Sequence, residues 1–339
     1  VKYLDAIKEG FNLINKNWQL VLIQICMVII CSLGFFIIVG IPLAIAFIFF
    51  GIDLTGLTNI HDIFRILNEP SEILSKYLGI FIIVIVSFFL YLLIITAIGL
   101  YVFSGSIGII SSNILGKISK FSIHLFFEEA KRLFLRLLGF TTIIGIIFIF
   151  TAFVFGIIGG GIAVFVSNAQ EQTSTFALFI GTFMSLISII ISLFVIIFLL
   201  SLTLYGIAAL SIKNIGVFQS LKESLNYIIK YPRSLLLYAI MFGSYILISF
   251  LLILLGYPFK FIPIIGTIIS FPYQLISYAV ETYLGLCIFS TIMIFFYKTE
   301  IMLGVPSESI QGEQQISKEE KEEIIQDKIE QDSLKEDDQ

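Results

Sequence analysis

The stretch SLKESLNYIIKYPRSLLLYAIMFGSYILISFLLILLG, Ser220 to Gly256, changes character once, at Tyr231-Pro232. Ahead of that point Leu221, Leu225 and Ile228 recur at helical spacing with Lys222, Glu223 and Asn226 between them. That is the pattern of a helix lying in a membrane interface. Behind it, Ser234 to Gly256 carries no charged residue and is long enough to cross a hydrocarbon core, which takes about 20 residues. The segment therefore encodes a surface-lying ramp followed by a span.

The same unit begins twice more, at LDAIKEGFNLINKNW (Leu4 to Trp18) and FFEEAKRLFLRLLGF (Phe126 to Phe140). Setting Lys8, Lys131 and Lys222 in register also aligns Ile7 with Ala130 and Leu221, Phe11 with Phe134 and Leu225, and Ile14 with Leu137 and Ile228. Apolar runs fall at about 19–50, 78–110, 138–166, 176–210, 234–256 and 267–297, each long enough to cross a bilayer. This predicts an all-α polytopic membrane protein with six transmembrane helices. They are arranged as three repeats of an interfacial amphipathic helix plus a transmembrane hairpin, in units at about 1–116, 117–212 and 213–300. The first unit is longer by an insertion, mostly the polar connector DLTGLTNIHDIFRILNEPSEILSK. Its first apolar run would reach roughly 48 Å as one helix, against a core of about 30 Å, so a kink or a re-entrant turn is expected at Gly40-Ile41-Pro42.

Composition agrees with this class. The 339 residues are 58% hydrophobic and 13% charged, with a mean hydropathy of +1.04, more apolar surface than a soluble domain can hide. Continuous hydrophobicity without period-two alternation excludes an outer-membrane barrel, and in lipid a helix satisfies its own backbone. The net charge of −4 divides unevenly: residues 299–339 hold 13 acidic and 4 basic side chains, the remainder 11 acidic and 16 basic. Residues 301–339 read as an acidic cytoplasmic tail, disordered or a short solvated helix, open to a protein partner. With the N-terminus inside, 17 Lys and Arg fall on the inner side and only Arg65, Lys76 and Lys260 on the outer. This predicts a cell-membrane protein with both termini cytoplasmic and membrane lipids as its surroundings. Trp18, the only tryptophan, then anchors the first ramp at the bilayer surface. The polar leader to about Asn17 and the long run behind it do not fit a cleavable signal.

The ramp junctions SGSIGIISSNILGKISKFSIHLFFEEAKRLFLRLLGF and LYGIAALSIKNIGVFQSLKESLNYIIKYPRSLLL, and the ending CIFSTIMIFFYKTEI, carry a resemblance. A span ends in small residues, a short polar link with Gly216 follows, then an interfacial helix with basic residues and Ser224, then the next span. This resembles the six-helix membrane domain that some glycerophosphodiester phosphodiesterases carry beside their catalytic domain, and its stand-alone, mostly uncharacterised relatives. The likeness covers about residues 1–300 and implies the six-helix fold. It transfers no catalytic residue, because the activity belongs to a barrel domain of roughly 200 or more residues, far longer than the soluble tail here.

Chemical motifs are sparse. Neither histidine, His61 or His124, has a cysteine or second histidine at ligand spacing, and Cys26, Cys31 and Cys287 sit in apolar runs as small hydrophobes. No cofactor or nucleic-acid motif appears. Glu128 and Glu129 read as a solvated face of the second ramp. Within FGIIGGGIAVF and the turn before it, Ala152, Gly156 and Gly160 are four apart, a small-residue stripe for close helix packing, with a helix break or binding loop as the alternative. Ser185, Ser188 and Ser192 form a comparable polar stripe. Gln24 fits an interhelical hydrogen bond.

Glu281, in SYAVETYLGL, is different: it is the only charged residue between Thr267 and Tyr297 and lies one position from the middle of that run. An ionised acid at that depth costs about 2.5–3.5 kcal/mol. Gln274, Ser277 and Tyr278 share its helix face, a candidate polar site that must face other helices or water. Two readings stand: a proton-titrating or substrate-contacting group in an internal cavity, or a carboxyl hydrogen-bonded across a helix interface. The first functional expectation is a non-enzymatic membrane scaffold or lipid-associated accessory. The rival is a proton-coupled small-molecule transporter using Glu281. An intramembrane enzyme ranks third because the acid has no catalytic partner.

Overall fold

The computed structural model describes residues 2–55, 70–118, 120–171, 175–261 and 265–302. His61 and the acidic tail beyond Met302 lie outside them. All regular structure among the described residues is helical: α1 (Tyr3–Lys16), α2 (Gln19–Phe35), a π turn (Phe36–Gly40), α3 (Ile41–Thr55), α4 (Pro70–Ile114), α5 (Ile123–Glu171), α6 (Thr175–Ile212), α7 (Val217–Lys230), α8 (Arg233–Gly256), a 3-10 turn (Tyr257–Phe261), α9 (Ile265–Phe296) and a closing π turn (Tyr297–Met302). Six helical stretches are long and apolar enough to cross a membrane: Gln19–Phe49, Leu78–Ile114, Ile123–Asn168, Phe179–Ile212, Arg233–Gly256 and Ile268–Met302. The chain is a multi-pass, all-α membrane protein by length and composition.

The break in the first run falls one turn ahead of the proline. Pro42 has no N–H and its ring crowds the preceding turn, and the helix accommodates it by widening into the π turn Phe36–Gly40 before continuing as α3 to Thr55. The chain does not turn back there. The first and third ramps are separate helices, α1 and α7, but the second is not: Ile123–Glu171 runs unbroken for 49 residues. The cause is legible at the aligned junctions. Asn17 closes α1, its Nδ2 donating to the Leu13 carbonyl at 2.8 Å, and Pro232 follows α7. Phe140 and Thr141 stand at the corresponding places in α5 and supply neither a cap nor a proline.

Close packing is concentrated where α4, α6 and α9 finish. Ser104–Ser112, Tyr205–Ile212 and Phe289–Phe296 are buried in continuous runs, and each meets a ramp. Gly10 of α1 lies on Thr291, whose backbone N and Cα are 2.9 and 3.0 Å from where a Cβ would stand. Gly105 is covered by the Phe126 ring at 2.6 Å from the same point, and Gly206 by Phe140. Ser220 of α7 donates to the Gly206 carbonyl at 3.0 Å, and Ser111 of α4 to the Ser211 carbonyl at 3.1 Å. Small residues let these backbones approach, and the hydroxyls of Ser111 and Ser220 then reach carbonyls of the facing helix. Away from this end the helices present large exposed side chains such as Ile149, Phe153, Phe183 and Phe194, the surface expected against lipid.

Candidate functional site

α9 is the central span. It packs against α1, α2, α4, α6 and α8, and more than half of the residues in an 18-residue stretch of it are buried. A helix surrounded by other helices can carry polar side chains that a lipid-facing one cannot. Its polar stripe divides. Gln274 is exposed, Ser277 is half-buried with an Oγ that has no hydrogen-bond partner, and Tyr278 and Glu281 turn into a cavity of about 440 Å³.

That cavity lies immediately beyond the packed end. Its α9 wall is Tyr278, Glu281, Thr282, Gly285 and Phe289; α2 contributes Gln24, α4 Phe103, α6 Leu200 and Thr203, and α8 Tyr238, Phe242 and Tyr245. Gly285, one turn beyond Glu281, makes the room, since a Cβ there would meet nothing within 4 Å. Gln24 Nε2 donates to Ser106 Oγ at 3.2 Å, the interhelical bond its position in α2 suggested. Phe103 and Phe289 meet edge-on at 5.7 Å between centroids, and Tyr238 stacks on Phe242 at 5.5 Å. Thr203 returns its hydroxyl to Leu199 O at 2.8 Å. Among the described residues Glu281 has neither a hydrogen-bond partner nor an ion pair, and no Lys, Arg or His lines the cavity.

The other sequence candidates lie elsewhere. Ala152, Gly156 and Gly160 are exposed, and a Cβ on either glycine meets nothing within 4 Å, so the stripe packs against no other described part of the chain. Ser185, Ser188 and Ser192 are half-buried, and Ser192 returns its hydroxyl to Ile189 O at 2.8 Å. Glu128 sits in the open, 3.7 Å from His124, as its ramp position suggests. Glu129 does not: it packs on Gly108, accepts from Ser112 Oγ at 3.1 Å and pairs with Arg132 at 2.6 Å. Cys26, Cys31 and Cys287 are free thiols. No cluster of three or more metal-ligating side chains occurs among the described residues.

A second polar region borders the packed end. Lys213, ending α6, lies 3.1 Å from Glu223 of α7 and 3.6 Å from Glu300, which Lys230 approaches to 3.8 Å; Lys298 pairs with Glu9 at 2.6 Å. Lys230 also lies over the Tyr231 ring, 5.0 Å from its centroid. The hydrogen bond to Tyr231 and the charge of Glu300 raise its ammonium above the ordinary lysine value. Beside it a pocket of about 780 Å³ is lined by Lys2, Tyr3, Lys230, Arg233 and Thr299.

The cavity's α6 and α8 walls were not anticipated from sequence. Tyr238 and Tyr245 are seven residues apart, two helical turns, and that spacing was the available signal. Which side of an all-round apolar helix faces inward is otherwise set by packing. No family model matches the chain, and neither does any curated protein or solved structure.

Proposed function

We propose that this chain is a non-enzymatic, multi-pass protein of the cell membrane, with both termini cytoplasmic, that works as a proton-coupled carrier of a small molecule. What supports this reading is the unpartnered Glu281 carboxyl in a roomy cavity near the middle of the central span. Among the described residues no hydroxyl or cation satisfies this carboxyl. An acid in a low-dielectric site is stable when neutral or when paired with a bound group. Proton and solute then exchange at one place, which is the physical requirement for coupling. The test is a solute screen in proteoliposomes under an imposed pH gradient, repeated with Glu281→Gln. A solute moved by the gradient through the wild type and not through the variant supports the assignment. Equal gradient-driven uptake by both ends the coupling role.

A second reading, a scaffold or lipid-associated accessory, is favoured by the basic pocket of Lys2, Lys230 and Arg233. On the three-repeat reading, these residues sit where ramps meet the anionic inner leaflet. Native mass spectrometry of the purified chain would show retained anionic lipid, lost in the Lys230→Glu, Arg233→Glu double variant. Identical lipid retention in wild type and variant removes this reading.

A further inference from the structure

We propose that the ligand of the central cavity is a small, charge-diffuse organic cation, held by Glu281 within an aromatic cage. The inference rests on the cavity reading above and adds the chemical class. Four features point the same way. The cavity has one formal charge, negative, and no lining cation to neutralise it or to attract an anion. Six of its lining residues are aromatic: Phe103, Tyr238, Phe242, Tyr245, Tyr278 and Phe289. Ring faces attract cations, most effectively those that are weakly hydrated and positioned out of water, such as quaternary ammonium groups. Finally, its volume of about 440 Å³ falls in the roughly 300–1,000 Å³ range of small-molecule sites.

A bare metal ion fits this lining poorly. Hard cations such as calcium take about six to eight oxygen ligands, and the oxygens here are the Glu281 carboxylate, the Gln24 amide, the hydroxyls of Thr203 and Thr282 and three phenols, spread around a cavity of this size. A neutral apolar guest fits the rings but makes no use of the acid, which must then stay protonated beside it. An organic cation satisfies both, its charge against Glu281 and its carbon surface against the aromatic walls. Tyr278, one turn from Glu281 on α9, is the lining ring closest to it in sequence, and Tyr245 stands on the α8 wall.

The test uses the purified full chain in lipid nanodiscs, with benzyltrimethylammonium as probe and neopentylbenzene, its uncharged carbon isostere, as control. Equilibrium dialysis should show saturable binding of the cation. Binding should fall roughly tenfold or more in Glu281→Gln, a tenfold change in Kd being about 1.4 kcal/mol. It should also weaken in Tyr278→Leu and Tyr245→Leu, and stay unchanged in Glu128→Gln, which removes an exposed charge outside the cavity. Saturable binding of the isostere as tight as that of the cation, or undiminished cation binding in Glu281→Gln, overturns the proposal. Should Glu281→Gln not fold, the two tyrosine variants decide, and unchanged binding in both overturns it. The assay needs no gradient. A chain that binds the cation but moves none ends the carrier reading alone, and one that carries a neutral solute while ignoring the cation ends this inference alone.

Discussion

At Gly10 the α1 backbone touches α9, and any side chain there has to displace the main chain at Thr291. Gly10→Val is expected to lower stability by about 1–3 kcal/mol, the usual cost of overpacking, measured as the fall in Tm of the detergent-solubilised protein. Gly156→Val, introduced into the open stripe of α5, should leave Tm unchanged on the same instrument. Tyr227 supplies a pH handle. Its ring is buried among Tyr205, Tyr231 and Phe296, with centroids at 4.9, 5.3 and 4.8 Å, and burial raises its phenol well above the ordinary value of 10.0. The unfolded chain then loses this proton at lower pH than the folded one, so stability falls as pH rises above about 10. The raised Lys230 acts in the same direction, its contribution being full below 10.5 and lost as pH climbs through the folded value. Tyr227→Phe should therefore show a shallower alkaline decline in Tm than the wild type. At this scale the sequence disclosed Glu281 through its isolation, and Gln24 through its polarity. It did not disclose Gly10 or Gly206, because a glycine that meets a neighbour and one that meets nothing are written alike.

Ramps and spans were legible wherever a local breaker marked the boundary. Asn17 and Pro232 end α1 and α7, and apolar runs give five of the spans to within about five residues, while the third begins at Ile123 and not near 138. The missing break at Phe140-Thr141 shows the limit of aligning repeats by their apolar positions: periodicity gives the face of a helix, while its end depends on capping chemistry. The ramp alignment on Ile7, Phe11 and Ile14 marked residues that pack on the core, with the neighbouring Ala6 and Gly10 also buried. Ile7 and Phe11 are only half-buried, and Ala6 and Gly10 make the close contact with Ile14. The outward side of α7 carries Phe218, Leu225 and Ile229, with exposures of 77, 40 and 69%, an apolar stripe that water would not favour. Trp18, at the α1–α2 turn and 56% exposed, reports on this level directly. In vesicles its fluorescence should be quenched strongly by lipids brominated near the headgroup and weakly by those brominated near the chain ends. The reverse depth profile would remove α1 from the interface.

The molecule as a whole is densely packed at one end and open toward the other, with Glu281 near the transition. The class and the number of spans followed from composition and run length, since nothing but helices can carry such runs through lipid. The cavity did not, because it exists only where five helices meet at particular rotations. Topology is testable on the intact chain: reporters inserted at residue 118 and after Met302 should report the same side, and one at residue 173 the opposite side.

The seating of α1 on the end of α9, fixed by Gly10 against Thr291 and by Glu9 against Lys298, has a consequence for biogenesis. α1 is made well before α9, its docking partner, so it must wait unattached while the five spans between them are inserted. The contact closes only once α9 has followed. A chain halted before Leu286 should leave residues 3–16 open to protease, and restoring the last span as a separate polypeptide should protect them again.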